Sequence, residues 1–205
     1  MSNAVWLSLA MADARRLRPF TNDLASDENR LIAIQRSNNA GEVLNKDDFP
    51  EAIWGSKERG ATTFKTLPDL FYGYGYWVVS DRCADVLRGF DLGSGSLHPV
   101  KVFEKDKVTP IGDHGWFCWN FGNKKNVFLP DKSKNISPFS GNRWHPRATL
   151  RDNEIAVSPQ ALIGPDIWID PLLFNSLFLS DALVKALKKA KCTSGFSLKK
   201  CQVVN

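Results

Sequence analysis

The sequence predicts an α+β fold: a mixed β-sheet with packed helices that contains two similar strand–helix–strand units, at about residues 76–103 and 177–204. Three observations predict this class. The last part of the chain has strand, cap, helix and strand signals in that order, and an earlier stretch repeats them. Short apolar runs outside the two units predict further strands, and a sheet of several strands with helices packed against it belongs to the α+β class.

The second unit has the clearer signals. A run of three apolar residues predicts a strand, and Ser180 and Asp181, which follow it, supply a helix N-cap and an acid in the first turn. Leu187 belongs to the apolar face of the helix, while lysines occupy the other face and crowd the last turn. Residues 193–195 end the helix, and the alternation over residues 196–204 predicts the closing strand.

The first unit matches the second at an offset of one hundred residues. Five of the nineteen positions in residues 77–95 and 177–195 are identical, where about one identity would be expected by chance. The identical pairs are Ser80/Ser180, Asp81/Asp181, Leu87/Leu187, Ser94/Ser194 and Gly95/Gly195. The predicted helix at 81–88 is followed by a returning strand at 100–103, one residue out of step with the second copy. Either the units are copies of one element, or two unrelated units share a common type of cap.

A single domain is expected over residues 1–205, a length sufficient for one sizeable hydrophobic core. In the N-terminal part, residues 4–12 predict a first strand and residues 30–36 predict a second. Residues 47–60 predict a short helix followed by a loop. Farther along, residues 116–121 are apolar and aromatic, which predicts a buried strand.

We expect the protein to be cytoplasmic. The apolar residues 4–12 form a short run with no Lys or Arg before it, which argues against a signal peptide. No apolar run approaches the roughly 20 residues needed to span a bilayer. The four cysteines form no Cys-x-x-Cys pair. Free thiols are therefore favoured over a bridge between Cys192 and Cys201, the closest pair.

Positive charge is concentrated at one end of the chain. The formal net charge is +5, from 27 Lys and Arg against 22 Asp and Glu. Residues 181–205 hold six lysines and one acid, so this stretch accounts for the whole +5 and the first 180 residues sum to zero. The chain therefore lacks the concentrated negative field that a protein imitating nucleic acid would need.

No catalytic residue, cofactor or metal site is predicted. The three histidines stand alone in their segments, and no metal-ligand spacing or phosphate-binding loop is present. Asp113 and His114 could form half of an acid–base pair in a small hydrolase, but such a neighbouring pair is more often part of a turn. Asp166 and Asp170 flank a short strand on the same face. Both lie beside proline in turns, which favours a structural role for them.

An alternative function is a nucleic-acid-binding module in the stretch Trp116–Lys134. This stretch mixes aromatic and basic side chains, as single-strand binders do: Trp116, Trp119, Lys124, Lys125, Lys132 and Lys134. The two tryptophans differ in strand parity, however, so at least one should point inward. Nucleic acid is therefore an unlikely partner.

The chain resembles an immunity-protein family of bacterial polymorphic toxin systems, long catalogued only as a domain of unknown function. The best match is over residues 164–204, and a looser one extends over 67–204 as a family-like core. Residues 1–65 are left as a variable N-terminal part. The signature positions, whose residue types define a fold, are Asp166, Trp168, Asp170, Pro171, Phe178, Ser180 and Asp181.

The resemblance implies a non-enzymatic toxin inhibitor that is made in the same bacterial cell as its toxin and acts by protein–protein interaction. The expected partner is the cognate toxin, with no membrane and no cofactor. Interface hot spots favour tryptophan, and basic side chains suit an acidic partner surface. The candidate partner-binding residues are Trp116, Trp119, Lys185, Lys188 and Lys189.

Overall fold

The computed structural model describes residues 4–58, 63–64 and 66–204, and it has an α+β fold. The helices are α1 Glu28–Asn39, α2 Asp81–Arg88 and α3 Asp181–Lys189. The strands are β1 Val5–Ser8, β2 Leu17–Arg18, β3 Phe20–Asn22, β4 Ala52–Gly55, β5 Leu70–Gly73, β6 Tyr76–Ser80, β7 Ser96–Phe103, β8 Trp116–Asn120, β9 Ile136–Phe139, β10 Arg143–Pro146, β11 Ala156–Val157, β12 Ile167–Ile169, β13 Leu177–Ser180 and β14 Leu198–Val203.

The described strands form two larger sheets and one hairpin. The seven-stranded sheet has the order β2–β5–β6–β8–β7–β4–β3, and the five-stranded sheet has the order β11–β14–β1–β13–β12. The hairpin of β9 and β10 is joined to the rest by a bridge between Trp144 and Leu173. The predicted mixed sheet is therefore two sheets, each with its own crossover helix.

Both predicted strand–helix–strand units are present and have the same topology. In the first, β8 lies between β6 and β7 and is antiparallel to both; in the second, β1 takes this place between β13 and β14. Trp116 pairs with Ser80 and Val100, and Val5 pairs with Ser180 and Cys201. The offset is thus 100 residues before the helices and 101 after them. This confirms that the returning strands are one residue out of step.

The equivalence also extends before each unit. β5 pairs with β6 and β12 pairs with β13, both antiparallel, and a Pro-Asp dipeptide precedes each of these strands. The backbone N–H of Ser80 donates to the Asp69 carbonyl at 3.0 Å, and that of Ser180 donates to the Asp166 carbonyl at 2.8 Å. Each unit is therefore a hairpin, a helix and a returning strand, completed by one strand from elsewhere in the chain.

Three hydrophobic clusters hold these layers together. The central cluster joins α2, α3 and the facing sides of both sheets, and it includes the matched pair Leu87 and Leu187, which are fully buried. A second cluster covers the other face of the seven-stranded sheet and receives α1. A third covers the other face of the five-stranded sheet. Side chains along β6 alternate between the first two clusters, as strand geometry requires.

The strand predicted at residues 30–36 is wrong, because this segment lies inside α1. The Asp27 side chain accepts a hydrogen bond from the Arg30 N–H at 2.9 Å, which caps the helix. Leu31, Ile34 and Asn38 are buried at helical spacing. With only two apolar side chains on the buried face and Ile32 beside them on the open face, the helical period was masked.

Two other N-terminal expectations have different outcomes. Residues 4–12 contain the predicted first strand, and β1 occupies a central position in the five-stranded sheet. Residues 47–60 do not form the predicted helix and loop: a 3-10 turn at Lys46–Asp48 leads into strand β4. β4 pairs in parallel with β7 and antiparallel with β3, so its hydrogen-bonding partners override the local turn signals. Residues 59–62 lie outside the described residues.

Candidate functional site

One face of α1 is left uncovered by the rest of the chain. The opposite face is anchored by Asn38, whose side-chain amide donates to the Trp119 carbonyl and accepts from the Asn120 side chain and the Phe121 N–H, each at 2.9 Å. Because Asn38 is buried and all three bonds go to the end of β8, α1 is held in one orientation. Its outer face, with Ile32, therefore stays directed away from the core.

Three neighbouring hollows, which together we call the α1 cleft, lie along α1. They have volumes of about 580, 300 and 690 Å³, and all three include Gln35 in their walls. Residues from α1 and its C-cap Ala40 form one wall, and segments 10–20, 72–77 and 169–175 form most of the other. Twelve helical residues at about 1.5 Å each give the cleft a length of roughly 18 Å.

The first end of the α1 cleft is apolar. Leu17 and Ile32 retain 56% and 39% of their exposure, although both are large aliphatic side chains. Tyr72 and Tyr74 line the same hollow, and burial raises the pKa of Tyr72 to about 12. Leu17 is positioned by the pairing of β2 with β5, where it lies opposite Tyr72. Exposed aliphatic side chains grouped in a concave surface are typical of a binding site.

The other end of the α1 cleft is basic. Arg36, Lys124 and Arg143 line it, and the acid there is Asp170. One oxygen of Asp170 accepts from the Val127 and Phe128 N–H groups at 2.7 and 2.8 Å, and burial raises the pKa of this carboxyl. The other oxygen accepts from the Leu172 N–H at 3.0 Å, so the hydrogen bonds of Asp170 go to backbone N–H groups rather than to the three cations.

The three cations at this end differ in their contacts with other side chains. Lys124 lies 3.1 Å from Glu42. The guanidinium of Arg143 lies over the rings of Phe139 and Phe174, 5.3 and 5.0 Å from their centroids. Arg36 has no ion pair among the residues that the structure describes. Stacking holds Arg143 in place and leaves its charge uncompensated, so this end of the cleft carries net positive charge.

The middle of the α1 cleft is lined by an acid whose charge is already matched. Asp13 lies 2.8 Å from Arg15 and 3.1 Å from Arg16. Hydrogen bonds from these arginines, Arg15 first, hold the pKa of Asp13 well below its ordinary value. Farther toward the apolar end, burial and then the charge of Arg16 lower the pKa of Arg18. Positive charge is therefore in slight excess along this wall as well.

Trp116 and Trp119, predicted as partner-binding residues, are instead core residues. Their exposed fractions are 4% and 0%, and they lie on opposite faces of β8 in different clusters. Trp116 packs edge-on against Phe71, and Trp119 packs against Phe196. β8 is covered on both faces, and a strand of this kind has no exposed side on which either tryptophan could meet a partner.

Lys185, Lys188 and Lys189 are exposed on α3, as the helical spacing predicted. Lys185 lies 2.6 Å from Asp181, and the ammonium of Lys188 lies 3.9 Å above the Trp6 ring. Two of the three lysines thus have contacts within the chain. Their role in partner binding remains a prediction.

The signature residues mostly have structural roles. Trp168 and Phe178 are fully buried and stacked, with ring centroids 5.6 Å apart. The side chain of Asp166 accepts from the Asp91 N–H at 2.9 Å, and that of Ser180 caps α3. Together with the backbone contacts of Asp170, this gives both carboxylates hydrogen bonds within the fold. Pro171 differs from the others because it lines the basic end of the α1 cleft.

The basic residues after β8 do not form a stacking platform with the tryptophans. The ammonium of Lys125 lies 3.7 Å from the ring centre of the buried Trp168 and donates to the Pro165 carbonyl at 2.8 Å. Burial lowers the pKa of Lys125 to about 8. Because both Trp116 and Trp119 are also buried, neither tryptophan ring is available for a base to stack on.

The proposed acid–base pair is at the surface. Asp113 and His114 approach to 3.5 Å, Asp113 is fully exposed, and the His114 ring packs against Trp116 with centroids 4.6 Å apart. Within the described parts of the chain, no group of three or more His, Cys, Asp and Glu side chains could hold a metal ion. The three histidines are in separate places, since His98 stacks on Phe49 and His145 lies near Phe139.

Sequence reasoning missed the residues of the α1 cleft because it assigned a strand to α1. A signal was present: Asp27 as a cap, followed by Leu31 and Ile34 at a spacing of three. The opposite wall could not be read in the same way, since its segments are distant in sequence.

Comparison with known proteins identifies a family. The model of the immunity protein family Imm11 matches residues 12–203, which extends the resemblance at residues 67–204 over most of the N-terminal part. No curated protein matches this chain. No helix in the described ranges is long and apolar enough to cross a membrane.

Proposed function

The chain belongs to the Imm11 family of immunity proteins, and from this premise we propose that it neutralises a cognate bacterial toxin by binding it directly in the cytoplasm. Inhibition in this proposal needs no catalytic step. The proposal is supported by the membership of an immunity protein family and by a surface of the structure on which a toxin could dock. This function also fits the separated positions of the three histidines.

The observation that carries the proposal is the α1 cleft. It combines exposed aliphatic side chains at Leu17 and Ile32 with cations at Arg36 and Arg143. Interfaces of this type contain apolar anchors surrounded by polar and charged groups. The cleft is shaped by buried contacts on its inner side, such as those of Asn38, so it is already formed before a partner arrives.

Co-expression with the toxin encoded beside this gene tests the proposal. We expect growth to be restored and a complex of the two purified proteins to form. Because a binding inhibitor is consumed, inhibition should rise with the molar ratio of the two proteins and be independent of preincubation time. Inactivation of a tenfold molar excess of toxin would instead indicate catalysis.

An exposed pair provides the matched control for catalysis. Asp113→Asn combined with His114→Ala changes the groups that a hydrolase would use and leaves the α1 cleft unchanged. We expect this double variant to protect cells as well as the wild type does. Loss of protection by a folded double variant would contradict non-catalytic inhibition.

A further inference from the structure

We infer that the α1 cleft receives an acidic segment of the toxin, with an apolar side chain at the Leu17–Ile32 end and carboxylates at the Arg36–Arg143 end. This inference rests on the proposed function and adds the chemistry of the toxin segment. It also assigns the contact surface to α1, an element that the sequence signature does not include.

The charged side chains along the cleft determine whether an acidic or a basic toxin segment would bind there. The charged residues in its walls are Arg16, Arg18, Arg36, Lys124 and Arg143, against Asp13, Glu28 and Asp170. Two of the acids already have partners in this chain: Asp13 in the arginines beside it, and Asp170 in backbone N–H groups. Arg16 and Lys124 are likewise paired, with Asp13 and Glu42, which leaves Arg18, Arg36 and Arg143 against Glu28. A basic segment would meet unpaired arginines, whereas carboxylates would pair with them.

The basic end can bind carboxylates with defined geometry. Arg36 and Arg143 line the same hollow, one on α1 and the other on the β10 strand. The planar fork of a guanidinium matches a carboxylate in two parallel hydrogen bonds. Because stacking on Phe139 and Phe174 restrains Arg143, less conformational freedom is lost when an anion binds there.

The apolar end supplies the anchor. Leu17 and Ile32 are exposed on opposite walls, and the rings of Tyr72 and Tyr74 close the hollow between them. Burying one aliphatic side chain there would remove apolar surface of both partners from water. Along α1, Ile32 and Arg36 are four residues apart, a rise of about 6 Å, which corresponds to about two residues of an extended chain at about 3.3 Å each.

Charge reversal at the basic end is the central test. We expect Arg36→Glu with Arg143→Glu to weaken binding of the toxin encoded beside this gene by about tenfold or more, with a larger effect at low salt. Lys101→Glu with Lys105→Glu makes the same change in net charge at exposed sites outside the cleft, and should change affinity less than threefold. Equal effects of the two pairs would overturn the inference, because net charge alone would then explain the loss.

A second pair of variants tests the apolar end. Leu17→Ser with Ile32→Ser should weaken toxin binding by about tenfold, since both side chains would contact the anchor. Val43→Ser with Val108→Ser is the matched control, because these valines are also exposed, at 63% and 75%, but lie outside the cleft. Circular dichroism and urea midpoints verify that all variants fold. Unchanged affinity in the folded Leu17 and Ile32 variant would overturn the inference.

Hydrogen exchange on the toxin identifies the occupant itself. We expect the most protected toxin segment in the complex to contain at least two carboxylates, and their exchange for lysine should restore binding to the Arg36 and Arg143 reversal variant. Protection of a basic segment would overturn the inference while toxin binding, and with it the proposed function, stands. A wild-type protein that neither binds nor protects would overturn both.

Discussion

The two strand–helix–strand units have the same backbone topology, and the inserted strand of each carries an aromatic ring at the same position: Phe117 in the first unit and Trp6 in the second. In the first unit, the guanidinium of Arg88 lies 4.4 Å over the Phe117 ring; in the second, the ammonium of Lys188 lies 3.9 Å over the Trp6 ring. Phe117 and Trp6 hold the same register position, opposite Val79 and Leu179. A cation at the end of the helix thus covers an aromatic ring on the inserted strand in both units.

The matching aspartates behave differently for a chemical reason. Asp181 is buried and accepts a hydrogen bond from the indole N–H of Trp6 at 2.8 Å. A phenylalanine has no such donor, and Asp81 accepts from two backbone N–H groups, those of Arg82 at 2.6 Å and Gly115 at 3.3 Å. The capping and core positions therefore have the same residue in both units. The hydrogen-bond donors to Asp81 and Asp181 differ because the neighbouring aromatic ring is phenylalanine in one unit and tryptophan in the other.

The largest expected effect tests whether the helices of the two units contribute equally to the central cluster. Leu87→Ala and Leu187→Ala should each lower the free energy of unfolding by about 2–5 kcal/mol, because both side chains are fully buried in the central cluster. Urea midpoints at constant slope measure this. A Leu187→Ala protein as stable as the wild type, beside a destabilised Leu87→Ala protein, would show that the units do not share a core in this way.

The aspartates should differ by an intermediate amount. Asp181→Ala leaves the Trp6 indole N–H without its acceptor and Lys185 without its carboxylate, so we expect a loss of about 1–3 kcal/mol. Asp81→Ala should cost less than about 1 kcal/mol, since that carboxylate is more exposed. Asp181→Asn keeps an acceptor for Trp6 and should recover part of the loss. Equal losses at Asp81 and Asp181 would contradict the role assigned to Trp6.

The caps should show a smaller difference. Ser180→Ala should cost ~1 kcal/mol, as loss of an N-cap does. Ser80→Ala should cost more, about 2 kcal/mol, because the Ser80 hydroxyl also donates to Asp69 at 2.6 Å inside the protein. Thermal unfolding of the two variants under identical conditions makes the comparison. A larger loss at Ser180 than at Ser80 would contradict it.

The smallest effect concerns the helix surfaces. Reversal of Lys185, Lys188 and Lys189 to Glu should slow toxin association only a few-fold and only at low salt, if α3 meets an acidic surface of the toxin. The equivalent helix in the first unit carries Asp85 and Arg88 as an ion pair at 2.6 Å, so reversal of Arg88 is a suitable reference. Unchanged stopped-flow kinetics at low ionic strength would remove α3 from the interface.

Much of the fold could be predicted where the deciding signals are local. The Ser-Asp caps, the helical period and the offset of one hundred residues define both units without knowledge of the rest. The inserted strands could not be assigned in this way: nothing near residues 177–204 indicates that β1 pairs with both of its strands. Such non-local pairings decide how many sheets form, and here they give two.

The candidate site could be predicted much less well. The apolar run at residues 116–121 correctly predicts a buried strand, but a strand covered on one face and a strand covered on both look alike in sequence. Trp116 and Trp119 therefore remained candidates for partner binding, although both are buried. The α1 cleft requires α1 and segments as distant as residues 10–20 and 169–175 to meet. Only the three-dimensional packing brings Arg36 and Arg143 into one hollow.

The central position of β1 has a consequence for synthesis. Val5 pairs with Cys201, so β1 waits for a partner strand made roughly 200 residues later, which takes on the order of 10–40 s at about 5–20 residues per second. The central cluster and the wall of the α1 cleft formed by residues 169–175 are completed late in synthesis, although α1 itself is made early. Such long-range pairing slows folding. If the protein neutralises a toxin as proposed, protection would begin only after β14 has left the ribosome.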